Sequence, residues 1–340
     1  MNITVWGAGN SGVPAAIYFL NKGHAVTLFT RSTEKKNAIA AGGIDSDGVI
    51  RGHFDLAATD SVRAAVQFAD LLVINTQAGA HADVFKTIQP YVMPGQSIVV
   101  LNSNWGAYTG YGLLRPLVGK IALGETASQP FLGRYDGRNH VVIKAVKQTV
   151  TVAGVDEPSR AALLQQLGLV FATVIPGENV IATSLSSANP IIHVPIVAAN
   201  LQRIENRDTF LFLDNMTEHE VAYIGHMDRE RIAVGAAIGV HVRPILEEMN
   251  SFWDEKFPDL LSLFHGNEEY NHNTGPRSLS HRFITEDIPY GIGPVIELGR
   301  LFGVAVPYSE AVVTFLELAV GLDSGNVPLH FDKQTVAALL

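Results

Sequence analysis

The chain of 340 residues contains no cysteine. That excludes disulfide scaffolds, thiolate zinc sites and cysteine nucleophiles together, and it is compatible with a reducing cytoplasm. Charge is scarce as well: 17% of residues are charged, and 24 Lys+Arg stand against 33 Asp+Glu for a formal net charge of −9. A basic footprint for nucleic acid or an anionic membrane is therefore missing. Long apolar runs are missing too. Ile191 to Ala199 and Ile232 to Val242 are interrupted by His, Pro or Gly, and Met1-Asn2-Ile3-Thr4-Val5-Trp6 has no cationic segment ahead of an apolar one. The expectation is a cytoplasmic protein with no membrane span and no targeting peptide. Lysine almost disappears after residue 147, where only Lys256 and Lys333 remain.

What is present is apolar. Hydrophobic residues make up 47% of the chain, enough to exclude disorder, and the length suits two domains. In the first 150 residues, short β-branched runs alternate with helical patterns. Ile3–Val5, Ala25–Phe29, Leu71–Ile74, Ser97–Leu101, Lys120–Leu123 and Val141–Ala145 read as strands, followed by Thr149–Ala153 and a helix over Glu157–Leu167. Apolar throughout, the central strands fit burial on both faces, so an α/β fold with a doubly wound parallel Rossmann sheet is expected. From about residue 179 helical periods take over, at Pro190–Gln202, Thr217–Ile238, Val242–Trp253, Pro289–Leu301 and Ser309–Val320. Asn189-Pro190 and Asp287-Ile288-Pro289 read as capped helix entrances. The expected domains are residues 1–177, dinucleotide-binding, and 178–340, all-helical and substrate-binding. The polar stretch from His265 to Pro276 reads as a long loop.

Gly7-Ala8-Gly9-Asn10-Ser11-Gly12 is a G-x-G-x-x-G between the strand Ile3–Val5 and a helix over Val13–Asn21. That context turns a weak motif into a dinucleotide site: Gly7 for the turn, Gly9 for approach of the pyrophosphate, Gly12 for close packing, with Asn10 and Ser11 on the same loop. The pyrophosphate would lie on the helix N-terminus. After the second strand comes Thr30-Arg31-Ser32-Thr33, with no acid before Glu34 to hold a ribose diol. Thr30 and Arg31 therefore favour NADP over NAD, the alternative being that Arg31 stacks on adenine or points to solvent. Thr76 and Asn102 follow two further strands, where open parallel sheets bind ligands. His81 opens the next helix, with a capping or surface role as plausible as a functional one.

The helical half offers His193 in the apolar segment Ser187 to Pro195, and a second segment from Arg282 to Gly291. Arg282 can clamp a carboxylate bidentately, and Asp287 hydrogen-bonded to His193 would set its tautomer. The plainer alternatives are a buried histidine, a capping aspartate and a solvated arginine.

On these motifs, together with Gly303-Val304-Ala305-Val306-Pro307 and, more loosely, Glu125-Thr126 with Arg134, the chain resembles the opine dehydrogenases of the octopine/nopaline type over nearly its whole length. The resemblance implies NAD(P)H-dependent reductive condensation of an amino acid or amine with an α-keto acid, through an imine reduced by hydride. It puts acid/base chemistry on His193 and Asp287 and substrate binding on Arg282 and Asn189. The partners expected are small molecules, with neither nucleic acid nor membrane, and the apolar helices allow a homodimer. A ketopantoate-reductase-like enzyme would need a lysine early in the helical half, which is absent. A simple 2-hydroxy-acid dehydrogenase and a non-catalytic dinucleotide-binding regulator are the other readings. His219, Glu220 and His226 share a helix without a third ligand at recognisable spacing, so no metal is expected.

Overall fold

The computed structural model describes all residues except Trp253, Glu269, Asn271 and 321–327. The chain divides into two compact units, Met1–Thr183 and Ser184–Ala338. The division thus falls six residues after the expected 177.

In the first unit the described residues build an eight-stranded sheet. Its strands are β1 (Asn2–Trp6), β2 (Ala25–Phe29), β5 (Ala57–Thr59), β6 (Leu71–Ile74), β7 (Ser97–Val100), β8 (Ala122–Thr126), β11 (Thr149–Gly154) and β12 (Thr173–Pro176), in the order β12-β11-β8-β7-β6-β1-β2-β5. All neighbours are parallel except β11 against β8. Every residue of β6 and β7 is buried, as continuous apolar strands covered on both faces should be. Six helices connect the strands of this unit: α1 (Gly12–Asn21), α2 (Thr33–Gly42), α3 (Val62–Phe68), α4 (His81–Ile88), α5 (Gly106–Leu113) and α6 (Glu157–Gly168). α1 buries Val13 to Phe19, and its Tyr18 and Phe19 rings pack with Phe131 and Phe171.

Two expectations are corrected here. Lys120–Leu123 is shifted, the strand running over Ala122–Thr126. The strand around Val141–Ala145 does not join the parallel sheet. As β10 (His140–Val146) it lies in a second sheet, between β3 (Ile44–Gly48) and β9 (Phe131–Tyr135), with β4 (Gly52–Phe54) beyond β3. The polar sequence Ile-Asp-Ser-Asp-Gly of β3 conceals its strand, because Asp and Gly are poor strand formers and only the alternating burial of Ile44 and Ser46 betrays it.

The second unit is helical. Past α7 (Val180–Leu185) at the boundary come α8 (Asn189–Ala199), α9 (Leu201–Glu205), α10 (Glu218–Ile238), α11 (Ile245–Asn250), α12 (Leu260–Gly266), α13 (Arg282–Thr285), a π turn (Ile288–Ile292), α14 (Gly293–Phe302), α15 (Pro307–Val320) and α16 (Lys333–Ala338). α10 is the long central member. It starts with a capping box between Thr217 and Glu220 and stops at Gly239, φ 92°. Its Arg231 is 1% exposed, and the guanidinium donates to Asp228 Oδ1 and to the carbonyls of Leu185 and Arg243, so the buried charge is paired and hydrogen-bonded. The stretch Val180–Ala199 has the length and hydropathy of a membrane span, but 83% of it is buried within the protein. The expected helix to Trp253 ends on a residue outside the described ones, as do Glu269 and Asn271 of the expected long loop.

Candidate active site

The dinucleotide motif forms the turn between β1 and α1. Gly7 has φ +123°, and a Cβ there would lie 2.4 Å from the Asn75 carbonyl oxygen; a Cβ on Gly12 would lie 1.7 Å from that of Gly7. Both glycines are therefore demanded by the protein itself. Gly9 is different, since a Cβ there would meet no protein atom within 4 Å. Its smallness leaves room for a ligand and serves no packing. Helix α1 has no acid in its first turn, and Ser11 at its N-cap makes no side-chain cap bond, so nothing competes with an anion for the positive end. Asn10 Oδ1 accepts from the Tyr135 N–H, 3.2 Å, which ties the motif to β9.

After β2, the Thr30 hydroxyl accepts from the Ser32 N–H and Arg31 is exposed. Lys35, which the sequence reading passed over, donates from Nζ to the Ala8 carbonyl inside the glycine loop, 2.9 Å. At the ends of β6 and β7 lie Thr76 and Asn102. Thr76 Oγ1 and Asn102 Oδ1 are buried atoms without a hydrogen-bond partner. Such atoms cost free energy unless a ligand or water meets them, so their positions fit a dinucleotide. Asn102, Asn104 and Trp105 all have positive φ (68°, 44° and 63°), a strained run at the strand end where a ligand is expected. Glu125 is fully buried and accepts from the Ala107 N–H at the start of α5, while Arg134 is exposed. His81 is not a surface residue and does not cap α4, whose N-cap is Ala80. It is 2% exposed, its Nε2 lies 3.3 Å from the Thr76 carbonyl, and burial pushes its pKa down to about 4, with that hydrogen bond opposing.

The second unit holds the titratable pair. His193 Nδ1 lies 2.7 Å from Asp287 Oδ2, with side chains 14% and 4% exposed. Ninety-four residues apart in sequence, the two are brought together by the π turn lying on the start of α8. Gly291 of that turn comes so close to Pro190 that a Cβ would lie 2.3 Å from its Cγ. Pro289 withholds the N–H that a regular turn from Thr285 would use, and the chain widens to a π turn at this point. Two capping expectations are corrected. Asn189 is the first residue of α8, whose N-cap is Ala188, and Asp287 makes no cap bond, because its carboxylate is spent on His193.

Around the pair stand aromatic and imidazole rings to which the sequence assigns no role. The His193 ring stacks on Phe283 at 3.8 Å, and Phe283 stacks on Phe212 at 4.9 Å. His281 accepts the Phe283 N–H at its own Nδ1 and packs edge-on against the Phe283 ring. Burial, then the charge of Arg282, then that of His193 lower the His281 pKa, with Asp287 opposing. Arg282 is half-buried, its guanidinium carbon 5.9 Å from the centre of the Phe283 ring. His281 borders a motif the sequence did offer, whereas nothing local marks Phe212. Glu220 is engaged in its capping box and His226 stacks on Tyr308 at 4.1 Å. Among the described residues, no group of three or more His, Asp or Glu could hold a metal.

Fold and site together define an NAD(P)-dependent oxidoreductase with a Rossmann-type unit and a helical unit. Residues 176–320 match the family model "NAD/NADP octopine/nopaline dehydrogenase, alpha-helical domain", and residues 3–112 match that of ketopantoate reductase. The opine dehydrogenase of Arthrobacter sp. (strain 1C) is 28% identical over 331 residues, 94% of this chain and 90% of that protein. Among solved structures, octopine dehydrogenase with NADH and agmatine has the same fold, with TM-score 0.76 and 16% identity over 95% of this chain and 91% of the other. Yersinopine dehydrogenase with NADP+ bound gives TM-score 0.75 and 14% identity over 99% and 97%. Over most of its length the chain is thus similar to opine dehydrogenases.

Proposed function

We propose that this protein condenses an amino acid or amine with an α-keto acid and reduces the resulting imine, with NADPH as the preferred cofactor. The observation that carries the chemistry is the buried His193–Asp287 hydrogen bond of 2.7 Å, with Arg282 five residues before the aspartate. With its Nδ1–H donated to Asp287, His193 has Nε2 available as the base. It takes a proton from the incoming ammonium, the free amine adds to the keto carbon, and the proton returns as water leaves the carbinolamine. Arg282 holds the keto-acid carboxylate through paired N–H donors. Asn189, four residues before His193 on α8, contributes a polar group on the same helix face. When bound, NAD(P)H supplies the hydride to the imine carbon.

The glycine loop, Thr30, Arg31, Thr76 and Asn102 form the cofactor's binding set. Arg31 and Lys35 favour the 2′-phosphate of NADP, because both cations lie where an NAD site would place an acid. Arg31→Ala should lower the preference for NADPH over NADH about tenfold, and a clear NADH preference in the native protein overturns that choice. We place the enzyme in the cytoplasm. For a homodimer the support is α15, where Phe315 and Leu318 are 52% and 86% exposed.

A simple 2-keto-acid reductase is the second reading, favoured by the ketopantoate reductase match over residues 3–112. A panel of α-keto acids, each with and without amino acids, separates the two. Nicotinamide oxidation that needs both partners supports the opine reaction; oxidation with keto acid alone supports the reductase.

A further inference from the structure

Two side-chain amides meet at the carboxyl ends of the strands in the first unit. Gln129, shortly after β8, donates from Nε2 to Asn75 Oδ1, which follows β6, at 3.5 Å. The other halves of both amides, Asn75 Nδ2 and Gln129 Oε1, are buried without a hydrogen-bond partner. Asn75 also lies against the dinucleotide turn, its carbonyl being the atom that a Cβ on Gly7 would strike. The unmet atoms are thus one donor and one acceptor. This count does not depend on how the two amides are oriented. Turning both over reverses the bond between them and still leaves one free donor and one free acceptor.

That complement selects a ligand class. A carboxylate offers only acceptors and would be repelled by the free carbonyl; an ammonium offers only donors and would leave the free N–H₂ unmet. A primary carboxamide offers both, side by side on one planar group. Thr76 Oγ1 and Asn102 Oδ1, at the ends of β6 and β7, are the neighbouring unmet atoms, and they suit ribose hydroxyls. We infer that Asn75 and Gln129 form the receptor for the carboxamide of the nicotinamide ring, Asn75 donating to its carbonyl oxygen and Gln129 accepting from its N–H₂. The inference rests on the dinucleotide reading of this unit. It makes the pair positioning residues, which set the rotation of the ring about its glycosidic bond and hence the face it presents.

Equilibrium binding tests this without turnover. Calorimetry on the full chain compares the tighter of NADPH and NADH with its nicotinamide-free fragment, 2′-phospho-ADP-ribose or ADP-ribose. Gln129→Leu and Asn75→Leu should each weaken the intact cofactor about tenfold and leave the fragment's affinity unchanged, which also reports that the variant is folded. In the native protein the 3-acetylpyridine analogue, which keeps the carbonyl and lacks the N–H₂, should bind about tenfold more weakly than the carboxamide cofactor. That gap should close in Gln129→Leu. Equal losses for cofactor and fragment, or none for either, overturn the assignment while leaving the dinucleotide site standing. An acetylpyridine gap that persists in Gln129→Leu overturns it as well. Failure of the native protein to bind any of these ligands removes both readings.

Discussion

Each half of the chain holds a histidine largely out of solvent, His81 and His193, and the two have opposite surroundings. His81 in the Rossmann unit has no carboxylate partner; burial outweighs the opposing hydrogen bond to the Thr76 carbonyl and favours the neutral ring. His193 in the helical unit is bonded to the buried Asp287. The contrast extends to the sites around them. At the strand ends of the first unit, Asn75, Thr76, Asn102 and Gln129 carry unmet buried atoms, which the proposed dinucleotide would complete. The proposed acid/base pair of the second unit is already hydrogen-bonded, as general acid/base chemistry with a base held in one tautomer would require. Under the proposed function, binding waits for a partner, while proton transfer is organised in advance.

Breaking the wired pair should have the largest effect. His193→Ala should lower turnover about 10²–10⁴-fold with the NADPH dissociation constant unchanged, and Asp287→Asn, which reverses the tautomer, should fall in the same range. Steady-state kinetics beside calorimetric cofactor binding check both, and near-normal turnover removes the pair from the mechanism. Next in size, Arg282→Ala should raise the keto-acid KM about 10–100-fold and hardly move the cofactor KM. The reverse pattern would place Arg282 with the cofactor.

The two kinds of glycine sharpen the contrast within the first unit. Gly12→Ala drives a methyl into the Gly7 carbonyl and should destabilise the fold by about 1–3 kcal/mol. Gly9→Ala meets no protein atom and should stay within about 0.5 kcal/mol of native stability while losing dinucleotide affinity. Denaturant unfolding and a cofactor titration of both variants read the difference.

The last test concerns His81. Its folded pKa of about 4 lies below the unfolded value near 6.5, so below pH 6.5 the unfolded chain binds the extra proton first. Stability should therefore be full above pH 6.5 and decline toward pH 4, by about 2 kcal/mol at pH 5. His81→Gln should remove that part of the acid sensitivity. Unchanged pH dependence in the variant would show that the ring is not held neutral.

Much of this was legible in the chain. The glycine motif, the central apolar strands, the helix over Glu218–Ile238 and the segment Arg282–Gly291 declare themselves by local pattern. The second sheet did not, because β3 is Ile-Asp-Ser-Asp-Gly and its strand exists through pairing with β4 and β10. The Asx-Pro sequences did mark helix entrances, but Asn189 falls one residue inside α8, and Asp287, at the N-cap of the π turn, bonds His193 in place of a local N–H. Phe212, His281 and Gln129 belong to no motif at all, and only their neighbours in space give them meaning.

By itself, then, the sequence determined the chemistry available: no thiol, almost no lysine in the helical half, a dinucleotide loop, and one histidine with one aspartate and one arginine in recognisable segments. Periodicity and motif spacing are local properties, and they survive in a linear string. The tertiary structure alone decided that His193 and Asp287 bond across 94 residues, that Gly291 settles on Pro190 to allow it, and that four buried polar atoms at the strand ends are left unmet. Burial and hydrogen-bond completion are properties of neighbours in space, which no residue carries in its own name.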